Sequence, residues 1–251
     1  MSSLTQPPKV KILIIQFRED ITKNHEQQCI NKFLETNYQF DYLDIFDPTS
    51  AIKLSNPNQL LSSYDGVILG GSGAISMGYG HTNNDYNKAN YIIRTIRNLL
   101  EYITTDDFPA LGICFGHQLL GDYLGSKVSF DKHQSESGFA TINITKIGQA
   151  DKIFSQIQVE LKEKLWCVTM HQDSLMTLPT NTVLLATTDK CNIASFRYKT
   201  NIYGVQFHPE LTKKDLLYRF SLFPQYKIED TTTQDSTKIT QIIKLFLKTL
   251  S

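Results

Sequence analysis

The first half of the chain alternates between short apolar runs and longer stretches whose apolar residues recur at helical spacing. Apolar runs of this length, rich in β-branched residues, are typical of buried strands. Alternating strands and helices predict a mostly parallel sheet covered by helices on both faces. The predicted strands are Val10–Phe17, Gln39–Ile45, Gly66–Leu69 and Ala110–Ile113, and the predicted helices are His25–Thr36, Asp85–Ile103 and Gly116–Leu124.

The longest helical pattern is Asp85–Ile103. Its apolar residues fall on one side of a helix, and we expect that side to pack against the sheet. The predicted buried face consists of Tyr91, Ile92, Ile96, Leu99, Leu100 and Ile103.

The second half of the chain has a different pattern. Phe139–Ile147 alternates apolar and polar residues, as expected for a strand whose sheet has one solvated face. Residues 199–201 separate two later strands by a gap of hairpin size. We therefore predict one α/β domain over 1–251, with a flavodoxin-like, mostly parallel central sheet flanked by helices and an added antiparallel section. The remaining predicted elements are strands Leu165–Met170, Val183–Thr188, Ile193–Tyr198 and Ile202–Gln206, a polar loop at 225–237 and a final helix, Lys238–Leu250.

Charge and composition narrow the classes of function. Lys and Arg together number 25, as do Asp and Glu. Such a balanced chain has no overall field that attracts nucleic acid or anionic membranes, and we expect neither as a partner. No stretch approaches the roughly 20 apolar residues that span a bilayer, and the first residues lack the pattern of a secretory signal. Four scattered cysteines without a C-x-x-C pair are typical of a reduced, cytoplasmic protein.

A candidate nucleophile lies where a strand runs directly into a helix. Residues 110–121 read ALGICFGHQLLG, with Gly112 and Gly116 two positions before and after Cys114. Small residues at these positions permit the sharp turn that holds a nucleophile at the edge of a sheet. The helix N-terminus favours the thiolate, and the Phe115 backbone N–H can face a developing oxyanion. By itself, the pattern fits a buried cysteine in a tight turn equally well.

A candidate base and its orienting acid follow in residues 204–210, GVQFHPE. Pro209 restricts the backbone around His208. A cysteine that attacks an acyl carbon needs a base, and the base works best when a third group such as the Glu210 carboxylate holds its ring. A lone His-Pro-Glu sequence is more often a turn with a solvated carboxylate.

Together, G-I-C-F-G-H-Q and the Q-F-H-P-E about ninety residues later resemble the motifs of the class I (triad) glutamine amidotransferases. The resemblance runs from about Val10 to Glu210 and implies a Cys114–His208–Glu210 triad. The chain is similar in particular to free-standing GMP-synthase-type amidotransferase-like proteins, because the segment between the glycine turn and Cys114 is longer by one helix, Asp85–Ile103. It also contains no Ser-Gly-Gly-x-Asp-Ser pyrophosphate loop.

The resemblance also implies a second oxyanion donor in the glycine-rich turn after Gly66–Leu69. Gly71 is the best match, beside Gly70, although this sequence has Ser-Gly where the family usually has Pro. Glycines in such a turn can present backbone N–H groups to an anion. An ordinary glycine-rich loop is the alternative.

Other residues are implied to border the substrate. Gln118 lies one helical turn after the nucleophile, and Met170 and His171 match a Ser-His segment of the family, with Met170 in place of Ser. His171 could also serve as the base, but it lacks the Pro-Glu context. We predict no catalytic metal and no cofactor, because His81, His117 and His133 have no metal-ligand spacing.

The resemblance implies hydrolysis of the glutamine γ-amide through a γ-glutamyl thioester, releasing glutamate and ammonia, with a separate synthetase as a partner that accepts ammonia. Two alternatives stay open. One is a γ-glutamyl peptidase or hydrolase that uses the same triad on another γ-glutamyl compound. The other is a non-catalytic binding or regulatory protein on this fold, against which the intact triad counts.

Overall fold

The computed structural model describes residues 9–73, 75–77, 83–157, 164–222 and 235–251. The helices are α1 (Thr22–Asn31), α2 (Ser50–Ser55), α3 (Pro57–Leu61), α4 (Asn83–Asp106), α5 (Phe115–Tyr123), α6 (Lys213–Leu222) and α7 (Thr237–Lys248). The strands are β1 (Val10–Gln16), β2 (Tyr38–Asp44), β3 (Gly66–Leu69), β4 (Ala110–Ile113), β5 (Val128–Phe130), β6 (Glu136–Ile144), β7 (Trp166–His171), β8 (Asp173–Leu175), β9 (Thr182–Thr188), β10 (Ser195–Tyr198) and β11 (Ile202–Val205).

Nine of the described strands form one sheet in the order β2-β1-β3-β4-β11-β10-β9-β6-β7. Pairing is parallel from β2 to β11 and antiparallel from β11 to β7. The remaining strands, β5 and β8, pair with each other. The predicted fold class, a mostly parallel sheet in an α/β chain with antiparallel strands added later, is confirmed.

The inner parallel strands β1, β3, β4 and β11 are buried on both faces, and successive residues of each strand point to opposite sides. In β1, Ile12 and Ile14 belong to the apolar cluster that contains Ile242 and Phe246 of α7. Leu13 and Ile15 belong to the other cluster, whose helical members include the apolar stripe of α4. This two-sided burial explains why these strands read as continuous apolar runs.

Most predicted elements lie within a few residues of those observed, with two corrections. The first helix begins at Thr22 and not at His25. Just before it, Asp20 accepts the Thr22 backbone N–H through its side chain at 2.9 Å and the Lys23 N–H through its carbonyl at 3.0 Å. Tyr91, predicted on the apolar face of the long helix, lies at the edge of that face: it is 43% exposed and stacks on the ring of Phe46, with 6.1 Å between centroids.

Several elements were not predicted: α2, α3, α6, β5 and β8. The start of α3 is recognisable in retrospect, since Pro57 occupies its first turn and the Asn56 side chain accepts the Gln59 N–H. The predicted polar loop at 225–237 lies mostly outside the described residues.

Candidate active site

The candidate site lies where three neighbouring parallel strands end. The Gly70–Gly73 turn follows β3, Cys114 follows β4, and residues 206–210 follow β11. Because β3, β4 and β11 are adjacent and parallel, their carboxyl ends meet at one edge, which is where open α/β sheets bind ligands.

Cys114 has a strained backbone, with φ 52° and ψ −100°, at the entry to α5. The strain is maintained by close packing on both sides of the turn. A Cβ at Gly116 would lie 2.2 Å from the Leu69 carbonyl oxygen, and a Cβ at Gly112 would lie 2.6 Å from the Gly116 carbonyl carbon. Only glycine fits at either position, as the flanking-glycine pattern predicts.

Cys114, His208 and Glu210 lie together, as expected from the sequence. His208 Nδ1 is 2.7 Å from Glu210 Oε1, and Cys114 lies close enough to His208 to raise the pKa of its imidazole. The Glu210 contact engages Nδ1 and leaves Nε2 for the sulfur. His208 and Glu210 are both fully buried, while Cys114 is half-buried and borders a cavity.

Burial and charge act in opposite directions on this pair. Burial lowers the pKa of His208, but Glu210 and then Cys114 outweigh it and raise the pKa to about 9. Burial likewise favours the neutral form of Glu210, but His208 and Arg219 lower its pKa to about 2. The pair is therefore held as imidazolium and carboxylate near neutral pH.

Arg219 is a buried neighbour of the pair that the sequence did not reveal. Its Nη2 lies 3.5 Å from Glu210 Oε1, and both side chains are 1% exposed. Its Nε donates to His25 Nδ1 at 3.4 Å. Arg219 is on α6, which was not predicted, so no sequence signal connected it with the acid.

The two predicted oxyanion donors are arranged differently. Phe115 is the first residue of α5, where backbone N–H groups have no partner within the helix. Gly71 was expected to present its N–H to the same anion. Instead, this N–H donates to Glu26 Oε1 at 3.0 Å, because the buried Glu26 carboxylate lies directly against the turn.

Gln118 contacts other protein groups at the cavity wall. Its Nε2 donates to the Asp173 carbonyl (2.9 Å) and to Gln206 Oε1 (3.2 Å). Gln206 in turn directs Nε2 toward Cys114 Sγ at 3.7 Å. Gln206 was not singled out as a site residue, although it stands within the Q-F-H-P-E motif.

Met170 and His171 both border the cavity. The Met170 carbonyl lies 4.0 Å from Cys114 Sγ. His171 Nε2 lies 3.3 Å from Glu136 Oε2, and its Nδ1 lies 3.1 Å from the Asp173 carbonyl. His171 is thus paired with a carboxylate of its own, separate from Glu210.

The cavity beside Cys114 has a volume of about 420 Å³. Such a volume is in the range of pockets for drug-sized ligands, about 300–1,000 Å³. Its wall includes Ser72 and Gly73 of the turn after β3, the acidic residues Glu136 and Asp173, and the exposed Lys132.

One group of buried side chains of the types that bind metal ions lies away from Cys114. Ligand atoms of His25, Cys29 and Asp215 fall within 4.8 Å of one another. However, Lys32 Nζ lies 2.7 Å from both Asp215 oxygens and already supplies a cation. Burial raises the pKa of Cys29 to about 12, which keeps the thiol protonated and a poor metal ligand.

Among the described residues, no helix is both long and apolar enough to cross a membrane.

Comparison with known proteins places the chain in a family. The family model for glutamine amidotransferase class-I matches residues 19–218. A subunit of the glutamine-hydrolyzing GMP synthase from Methanosphaera stadtmanae is 38% identical over 120 residues, which cover 47% of this chain and 60% of that protein. Gamma-glutamyl peptidase 5 from Arabidopsis thaliana is 28% identical over 180 residues, which cover 72% of this chain and 67% of that protein.

Solved structures show the same fold. A glutamine amidotransferase from Thermotoga maritima superimposes with a TM-score of 0.60 at 23% identity, over 96% of this chain and 97% of that chain. A glutamine amido transferase from Methylobacillus flagellatus gives a TM-score of 0.61 at 14% identity, over 97% and 93%.

Proposed function

The chain belongs to the class-I glutamine amidotransferase family, and on that premise we propose that it hydrolyses the γ-carboxamide of glutamine to glutamate and ammonia. The observation that supports the proposal best is the buried His208–Glu210 pair, with 2.7 Å between Nδ1 and Oε1, beside the half-buried Cys114 at the cavity wall.

Cys114 and His208 carry the first half of the reaction. Cys114 attacks the γ-carbonyl carbon as a thiolate beside the His208 imidazolium. The resulting oxyanion accepts a hydrogen bond from the Phe115 N–H. As the C–N bond breaks, the His208 imidazolium gives its proton to the leaving ammonia, and a γ-glutamyl thioester stays on Cys114. Glu210 holds the imidazole ring and stabilises its charged form.

Water completes the second half. Neutral His208 takes a proton from a water molecule that attacks the thioester carbon. The C–S bond breaks, glutamate leaves, and His208 keeps the proton, which restores the imidazolium beside the sulfur. Atoms balance as glutamine plus water giving glutamate plus ammonia.

Replacing the sulfur tests this proposal. We expect Cys114→Ala to lose glutamine hydrolysis, measured as glutamate formation, and to lose labelling by a chloroketone analogue of glutamine. Cys191→Ala is the matched control, because Cys191 is 1% exposed and outside the proposed reaction. Retained activity in Cys114→Ala would remove Cys114 as nucleophile. Failure of the wild type to be labelled would favour a non-catalytic binding or regulatory protein.

The size and charge of the cavity favour a second candidate, the hydrolysis of γ-glutamyl peptides by the same triad. The cavity is larger than one amino acid side chain, and its lining includes Lys132 and Lys190 beside the carboxylates of Glu136 and Asp173. A γ-glutamyl dipeptide has a second carboxylate, at its C-terminus, with which Lys132 can pair. Glutamine has only its α-carboxylate. The similarity to the Arabidopsis peptidase is consistent with this substrate class.

A side-by-side assay decides between the two substrates. If the chain is a peptidase, γ-glutamylglycine is cleaved at least as fast as glutamine, and Lys132→Ala raises KM for the dipeptide only. Equal effects on both substrates would assign Lys132 to the α-carboxylate that they share. Lys53→Ala, an exposed lysine on α2, is the control.

We also propose a synthetase partner that takes up the ammonia, by similarity to the GMP synthase protein of Methanosphaera stadtmanae. We propose a reducing compartment such as the cytoplasm for this protein, because each of its four cysteines is a free thiol. A pull-down with the chain as bait tests for the partner, and ammonia release should rise when that partner is added.

A further inference from the structure

The peptide group between Gly70 and Gly71 is held at both ends. The Gly70 carbonyl accepts the Gly116 N–H at 3.1 Å, on the side of the turn that carries Cys114. The Gly71 N–H donates to Glu26 Oε1 at 3.0 Å. In a trans peptide, the C=O and N–H point in opposite directions. Because the carbonyl faces the nucleophile turn, the Gly71 N–H faces away from it, toward α1.

Glu26 is itself rigidly held. Its Oε1 also accepts Arg18 Nε at 3.0 Å, and its Oε2 accepts Gln16 Nε2 at 3.1 Å. Arg18 Nη1 in turn donates to Thr22 Oγ1 at 3.0 Å. Glu26 and Arg18 are 1% and 3% exposed, and charge-assisted hydrogen bonds at such sites are strong.

The turn and the charged pair are in direct contact. A Cβ at Gly70 would lie 2.9 Å from Glu26 Oε1, and a Cβ at Gly71 would lie 2.6 Å from Arg18 Nη2. The two glycines therefore let the backbone rest on the Glu26–Arg18 pair, and rotation of the peptide would break its bonds to both Glu26 and Gly116.

We infer that Glu26 is a positioning residue that turns the Gly71 N–H away from the thiol and makes the Ser72 N–H the second donor to the oxyanion. The inference rests on the proposed function. Ser72 lines the cavity together with Cys114. Its hydroxyl donates to the Ile75 carbonyl at 2.6 Å, so the side chain folds back on its own loop and the backbone is the part that can serve an anion.

Glu26→Gln tests the positioning role. Glutamine keeps the length but has one acceptor oxygen, so it cannot hold Gly71 and Arg18 at one position and Gln16 at the other as the carboxylate does. We expect kcat for glutamine hydrolysis to fall about 10²-fold, the cost of one oxyanion donor, with KM nearly unchanged. Labelling of Cys114 by the chloroketone should fall in parallel, while alkylation by iodoacetamide, which forms no oxyanion, should stay at the wild-type rate.

Gln28→Ala, an exposed position on the same helix, is the control and should match the wild type. An increase in kcat for Glu26→Gln would overturn the inference, because Glu26 would then withhold the Gly71 N–H from the reaction. Unchanged kcat, or an equal fall in both labelling rates, would also overturn it. Absence of chloroketone labelling already in the wild type would instead refute the proposed function itself.

A second pair of variants addresses the donor directly. Ser72→Ala loses the hydroxyl but keeps the backbone N–H, whereas Ser72→Pro loses both. We expect kcat to fall about 10²-fold further in Ser72→Pro than in Ser72→Ala. Equal kcat values for two variants with equal thermal stability would exclude Ser72 as the donor.

Discussion

His208 and Glu210 are buried and oppositely charged, and their pairing makes the stability of the protein depend on pH. The pKa of His208 is raised from 6.5 to about 9, so its stabilising contribution is fully present below pH 6.5 and is lost as pH rises through 9. The pKa of Glu210 is lowered from 4.5 to about 2, so its contribution is lost only as pH falls toward 2.

We therefore expect the free energy of unfolding to decrease between pH 6.5 and 9, and to decrease less in Glu210→Gln. The difference between the two decreases should be on the order of 2 kcal/mol. Urea unfolding at pH 6, 7.5 and 9 measures it. Parallel decreases in the two proteins would show that Glu210 does not set the pKa of His208.

Residues of the site differ in how far the sequence could predict them. Cys114, His208 and Glu210 stand in short local motifs, and the structure brings them together. Glu26, by contrast, reaches Gly71 across 45 positions, and Arg219 reaches His25 across 194. A charged residue in a helix is normally solvated, so nothing in its local sequence predicts burial against a distant turn.

At the level of elements, the strand-to-helix turn at Cys114 depends on what each glycine faces. In Gly116→Ala the new methyl group would meet the backbone oxygen of Leu69 at 2.2 Å, which cannot move without displacing β3. Gly121, on the same helix, faces the tips of the Leu175 side chain, which can rotate.

We expect Gly116→Ala to lower the free energy of unfolding by about 3 kcal/mol and Gly121→Ala by about 1 kcal/mol or less, since alanine also favours the helix. Thermal or urea unfolding of both variants gives the comparison. A smaller loss for Gly116→Ala than for Gly121→Ala would mean that the turn is looser than its geometry indicates.

The elements found from sequence are those with a long or clearly periodic pattern, such as β1 and α4. Strands β5 and β8 have three residues each and pair across a separation of more than forty positions. Three residues cannot show a period, and their pairing depends on tertiary contacts. Helix α6 was missed because its buried side includes Asp215 and Arg219, which read as solvent-facing.

For the whole molecule, one sheet runs from the parallel strands of the first half to the antiparallel strands of the second. The prediction of a single domain over 1–251 can therefore be tested with the one tryptophan of the chain. Trp166 lies on β7 at the antiparallel edge, while most helical signal comes from elements on the parallel half.

We expect Trp166 fluorescence and far-ultraviolet circular dichroism to report the same urea midpoint, as in a two-state transition. Two separate midpoints would instead indicate that the second half unfolds as its own domain.

Strand β11 comes last of the described strands along the chain, yet it lies inside the sheet between β4 and β10. During synthesis, β4 and the Cys114 that follows it leave the ribosome long before β11, the strand that pairs with β4. One edge of β4 therefore stays unpaired until residues 202–205 emerge. An unpaired strand edge can form non-native hydrogen bonds with other strands. The sulfur also has no imidazole beside it during that interval, so the nascent polypeptide holds an unactivated thiol until its sheet is nearly whole.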